Sequence, residues 1–108
     1  MHEEDPAIAA QLAALKAAFR ERLAEDLAAF SEPLAEARQP PPLHRLRALA
    51  ARAHRLAGAA GSFDEAALSE AAARFAQLCE EEAPDAAEIA QALYQLVLEA
   101  ERVLEAQD

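Results

Sequence analysis

Residues 43–61 read LHRLRALAARAHRLAGAAG. Leu46, Leu49, Ala53, Leu56 and Ala60 recur at spacings of three and four, the period of a helix with one buried face. Alanine, the best helix former, fills five of the other fourteen positions. The same composition runs through the whole chain. Of 108 residues, 32 are alanine, and the β-branched residues are limited to Ile8, Ile89, Val97 and Val103. Strands draw on β-branched and aromatic side chains, so the reading is an all-α fold with a thin core of Leu, Phe and Ala. A chain of this length suits one domain, taken here as residues 1–108.

Working outward, Asp5 and Pro6 suit the start of a first helix, as N-cap and first-turn residue. Ile8, Leu12, Leu15, Phe19, Leu23, Leu27, Phe30 and Leu34 then repeat every three or four residues, which predicts one buried face along that stretch. Pro33 is expected to end this helix near Phe30 or to kink it, with Ser31 capping a short continuation, so the stretch reads as one helix or as two. Gln39-Pro40-Pro41-Pro42 is a stop and an extended linker. On the far side of the quoted stretch, Gly61 suits a C-cap. Ser62 and Glu65 have the S-x-x-E spacing of a capping box, with Asp64 as the alternative cap. A third helix carries Leu68, Ala71, Phe75, Leu78 and Cys79 inward and ends at Glu80-Glu81-Glu82. Pro84 and Asp85-x-x-Glu88 open the last, whose inward residues are Ile89, Leu93, Leu96, Val97, Ala100, Val103 and Leu104. Short loops between long amphipathic helices predict an antiparallel up-down four-helix bundle. Only the first few residues and Gln107-Asp108 read as outside it.

The formal net charge is −10. That opposes nucleic acid as a partner, because phosphate contacts need clustered Lys and Arg. The charge is unevenly placed. No acidic residue lies between Gln39 and Phe63, where Arg45, Arg47, Arg52 and Arg55 supply +4 and leave −14 for the rest. No segment approaches 18 apolar residues, so no membrane span is indicated. Met1-His2-Glu3-Glu4-Asp5 lacks a basic signal-peptide region, and cytoplasmic location is the expectation. The single cysteine, Cys79, permits no internal disulfide and reads as a small buried hydrophobe.

His54 stands out within the basic stretch. Its neighbours on the helix, at three and four residues either side, are Ala50, Ala51, Ala57 and Gly58, all very small. It is rotated about 100° from Ala53 and so flanks the buried stripe. Arg47 and Gly61 lie seven residues either side on the same line, and Arg55 is next around the helix. In a chain this rich in alanine, such surroundings also arise without purpose. Gly58 argues otherwise, since a glycine inside a helix costs about 0.5–1 kcal/mol relative to alanine. A costly residue one turn from an exposed imidazole suggests that another protein must come close. Imidazole can act there as a nucleophile. His2 and His44 have no partner His or carboxylate at helical spacing, and no metal-ligand spacing or Gly-rich phosphate loop occurs. Ser31, Ser62 and Ser69 read as caps or helix surface, and Tyr94 as half-buried.

The string Ala53-His54-Arg55-Leu56-Ala57-Gly58-Ala59-Ala60-Gly61-Ser62-Phe63 resembles the H-x-L-K-G signature of histidine-containing phosphotransfer (HPt) domains. Leu68-Ser69-Glu70-Ala71-Ala72 resembles the start of the next HPt helix. Two positions depart from the family. Ala57 replaces a lysine that lies beside the phosphoryl group, leaving that role dispensable or open to Arg47, Arg52 or Arg55. Asp64 stands where the family often has a third glycine. The resemblance implies a phosphorelay intermediate without an ATP site. His54 would take a phosphoryl group from a receiver-domain aspartate and pass it to the aspartate of another response regulator. Arg47, Ala50, Ala51, Arg55, Ala57, Gly58 and Gly61 would line the approach. The resemblance also implies a hybrid histidine kinase and response-regulator receivers as partners, with magnesium supplied by the receiver and no cofactor held by this chain. A monomer is expected, although Ala-rich faces could also support a dimer. The alternative is a degenerate HPt-like adaptor that binds a receiver or kinase without phosphotransfer. A lipid-surface role ranks below both, because the polar faces of most helices are acidic.

Overall fold

The chain folds into four helices and no strand among the residues that a computed structural model describes, 5–36 and 41–106. His2, Gln39, Pro40 and the C-terminal pair Gln107-Asp108, to which the sequence assigned a tail, a linker and an end, lie outside the described residues. The helices are α1 (Pro6–Ala35), α2 (Leu43–Ser62), α3 (Ala66–Cys79) and α4 (Ala86–Glu105). α2 packs on α3, α3 on α4, α4 on α1 and α1 on α2. Neighbours run antiparallel. Arg20 at the midpoint of α1 donates to the carbonyls of Val103 and Leu104 at the end of α4, at 3.4 and 3.0 Å, while the C-terminal half of α1 runs back along the earlier turns of α4. Those carbonyls belong to the last turn of α4, where no helical N–H is available to them. This is the antiparallel four-helix bundle that the sequence predicts.

The start and end of α1 depend on local chemistry. Asp5 caps it, its side chain accepting from the Ala7 N–H at 2.9 Å, and Pro6 occupies the first turn. Pro33 neither ends nor splits the helix, contrary to expectation: α1 runs through it to Ala35. Proline loses its own N–H bond and crowds the carbonyl four residues back, but Pro33 sits within the last turn, where little helix remains to be broken. Its ring is buried, and Ser31 does not cap a new segment but donates back to the Leu27 carbonyl at 2.7 Å.

The turn from α2 to α3 also differs from the predicted caps. Gly61 and Ser62 are still helical, and Ser62 donates to the Gly58 carbonyl at 3.2 Å instead of capping α3. Glu65 occupies the N-cap position of α3 without a side-chain bond. The turn is closed by backbone bonds, Phe63 N–H and Glu65 N–H both reaching the Ala60 carbonyl. Asp64 supplies the left-handed residue, at φ 60°. Aspartate is one of the few residues other than glycine that tolerate this region. At α4 the expected cap holds: Asp85 accepts from the Ala87 and Glu88 N–H groups at 2.8 and 3.2 Å.

The core is built as the spacing predicts from Phe19 onward, with Leu27, Leu34, Val103 and Leu104 only partly buried at its edge. Phe30, Phe75, Leu23, Leu68 and Leu96 are fully buried, and the rings of Phe30 and Phe75 meet edge to face at 6.1 Å. A buried Asp26 on α1 binds Arg52 of α2 at 2.7 Å. The predicted burial fails for the first three turns of α1. Ile8, Leu12 and Leu15 are 54%, 51% and 57% exposed. The reason is length. α1 has 30 residues against 20 in α2 and 20 in α4. At 1.5 Å per residue it outruns its neighbours by two to three turns, and the molecule is 56 Å long but only 24 Å across.

Candidate functional site

His54 lies in the middle of α2, which is held from the inside. Leu46, Leu49, Ala53, Leu56 and Ala60 are all buried, as the spacing predicts, and His54 is exposed. The side chain is thus carried by a helix that cannot rotate without breaking the core. Across from it, Ser69 near the start of α3 donates to the Ala57 carbonyl at 2.7 Å. This bond fixes α3 against α2 within one turn of the histidine. From sequence Ser69 reads only as a cap or surface residue. Its single signal was its place one turn into α3, and its partner could not be read from that.

The predicted neighbours separate into three groups. Arg47, Ala50, Ala51 and His54 line one open groove, whose far wall is the acidic segment Glu80–Glu82 between α3 and α4. Ala50 is only 6% exposed and belongs to the core, so it forms the floor of the groove and not an exposed rim as expected. Arg55 is not part of this groove. It lines a separate one between α1 and α2, together with Arg22, Asp26 and Arg52. Ala57 is half-buried and Gly58 and Gly61 are exposed.

The two glycines can be judged by what a side chain would meet. A Cβ built on Gly58 meets no heavy atom within 4 Å, and one on Gly61 meets only Ser69 Oγ at 3.6 Å, an ordinary contact. Neither has positive φ. Nothing within the described fold therefore requires a glycine at position 58. The surface beside His54 is left bare toward solvent.

The arginines differ in availability. Arg45 is tied to Glu36 at 2.7 Å, which holds its proton more firmly than usual, and Arg52 is tied to Asp26. Arg47 is exposed and makes no ion pair among the described residues, so it is the guanidinium in the His54 groove that is free to meet an anion. His44 is exposed, two turns and more from His54 along α2. Tyr94 is 56% exposed, further out than expected. Cys79 is buried beside the groove, and burial, reinforced by Glu80, pushes its thiol up to about 11. It is a packing residue and not a nucleophile.

No cluster of three His, Cys, Asp or Glu able to hold a metal ion occurs among the described residues. No helix among the described residues is long and apolar enough to cross a membrane. One family model, described as Hpt domain, matches residues 14–106. No curated protein and no solved structure matches the chain.

Proposed function

The chain belongs to the Hpt domain family, whose members are phosphocarrier modules of two-component phosphorelays and not ATP-dependent enzymes, and from that premise we propose that His54 is its phosphoacceptor. The observation that carries this is the pairing of an exposed imidazole on a rigidly packed helix with an adjacent glycine that faces open space. A receiver's phosphoaspartate must bring its phosphorus to within reach of a ring nitrogen, and bulky neighbours would prevent that approach.

In the forward step an imidazole nitrogen with a free lone pair attacks phosphorus in line. The N–P bond forms as the P–O bond to the aspartate breaks, and the electron pair leaves with the carboxylate. The reverse step on a second receiver regenerates the imidazole. Magnesium and the groups that bind it belong to the receiver in this reading, so the chain's own tasks are orientation and access. Ser69 and the buried leucines of α2 hold the ring's height and bearing. Arg47 offsets negative charge on the arriving phosphoryl group, a task the half-buried Ala57 cannot perform. The acidic wall at Glu80–Glu82 selects receivers that carry positive charge on the facing surface.

Ala57 in place of lysine keeps the adaptor reading in view, and one experiment separates the two. The protein is incubated with a phosphorylated receiver domain and tested for an acid-labile, base-stable phosphoryl group. Wild type should be labelled. His54→Gln should carry no label while keeping its helical circular dichroism. Receiver binding without label in the wild type would support the adaptor. Equal labelling of the mutant would remove His54 from the reaction.

A further inference from the structure

The first three turns of α1 extend beyond the bundle with an apolar face uncovered. Ile8, Leu12 and Leu15 fall on the same side of the helix as Phe19, Leu23 and Phe30, which pack inside the bundle. With 100° per residue they form one unbroken stripe, spaced four and three like a coiled-coil seam. Exposed clusters of large apolar side chains on this scale mark interaction surfaces. The charge pattern is also distinctive. From Pro6 to Ala18 the sole charged residue is Lys16, in a chain of net charge −10.

We propose that this overhang pairs with the overhang of a second copy of the chain, antiparallel about a two-fold axis near Leu12. Self-pairing follows from the order of residues. About that axis Ile8 of one copy faces Leu15 of the other, and Leu12 faces Leu12, so the seam is complementary to itself as a two-fold interface requires. The two charged groups at the ends of the segment agree with this orientation. Asp5 and Lys16 lie on the same flank of the stripe, about 40–60° from its centre. In an antiparallel pair like flanks meet, which brings Asp5 of one copy beside Lys16 of its partner, twice. A parallel pair would instead set Lys16 level with Lys16. A partner with a strongly charged surface would find no match along this segment.

Two overhangs of this length bury on the order of 1,000 Å², near the lower limit for a specific interface. The dimer should therefore be weak, with a dissociation constant in the micromolar range. It replaces the monomer expected from the family resemblance. The His54 groove is bounded by Glu80–Pro84, at the end of the bundle away from the overhang. Dimerisation leaves it open, and the proposal does not depend on the chemistry at His54.

Sedimentation equilibrium on the full chain between about 1 and 200 µM tests the idea, at concentrations that bracket a micromolar constant. Wild type should pass from monomer to dimer, and Leu12→Glu should remain monomeric with unchanged helical circular dichroism. Single cysteines then report orientation in a Cys79→Ala background. Oxidation should cross-link Leu12→Cys but not Leu15→Cys, whose sites lie roughly 10 Å apart along the axis in the antiparallel pair, beyond disulfide reach. A wild type that stays monomeric throughout overturns the proposal and leaves the face to a different protein. So does a dimer that survives Leu12→Glu. Cross-linking at both positions would establish a parallel pair and refute the charge argument.

Discussion

Replacing Gly58 by alanine should stabilise the fold and impair its function. Gly58 lies inside α2, four residues before its end, with negative φ and no heavy atom within 4 Å of an added Cβ. The substitution therefore gains helix propensity with no steric penalty. The propensity difference between glycine and alanine is about 0.5–1 kcal/mol. For a domain of this size that raises Tm by roughly 3–6 °C. Urea unfolding followed at 222 nm should show the midpoint rising with the m-value unchanged. The same methyl group stands one turn from His54, on the surface that the proposed transfer would have a receiver approach. Phosphoryl transfer from a receiver should slow, by about tenfold if docking loses ~1.4 kcal/mol of transition-state contact. Gly58→Lys should slow it further without unfolding the bundle. A destabilised alanine variant would show that the backbone itself needs glycine there. Stabilisation together with undiminished transfer by the lysine variant would show that the bare surface serves no partner, and the main argument for His54 would be lost.

Other consequences follow from single residues. Asp64 occupies the left-handed region at φ 60°, so Asp64→Gly should be neutral to stabilising by about 0.5 kcal/mol, and Asp64→Val destabilising by ~1–2 kcal/mol; chemical denaturation of both variants decides whether the turn is under conformational control. Arg52 neutralises a buried Asp26, and Arg52→Gln should lower unfolding free energy by roughly 2 kcal/mol, less than for a fully enclosed pair because the arginine is partly exposed. Labelling of His54 should survive that change, since Arg52 lies outside the histidine's groove; loss of labelling in a folded variant would place Arg52 at the site after all. The Cys79 thiol is raised from an ordinary 9.0 to about 11 by burial and then by Glu80. The folded state therefore holds its proton more tightly than the unfolded chain, and this contribution is intact below pH 9. On the order of 1–2 kcal/mol should be lost as the pH rises from about 9 to about 11. Comparing wild type with Cys79→Ala over that range isolates the effect, and identical pH profiles would contradict it. In the native state near pH 8 the thiol should react with a disulfide reagent far more slowly than in urea.

The sequence determined the helical class, the inward face of α2, α3 and α4, the Asp5 and Asp85 caps and the exposure of His54. These are properties of periodicity and local hydrogen bonding, which neighbouring residues along the chain decide by themselves. It also placed Arg47, Ala51 and His54 on one line of α2, because helical geometry leaves no other choice. Tertiary structure decided the rest. Whether Ile8, Leu12 and Leu15 were buried depended on how far α2 and α4 reach alongside α1, and a repeat of apolar residues carries no information about where its cover ends. The passage of α1 through Pro33 depended on packing that buries the proline ring. Assignment of Arg52 to Asp26 and of Ser69 to the Ala57 carbonyl required helices distant in sequence to meet. That sorting left Arg47 in the histidine's groove and turned Arg55 toward a different one, since side chains adjacent on one helix face different neighbours once the bundle closes.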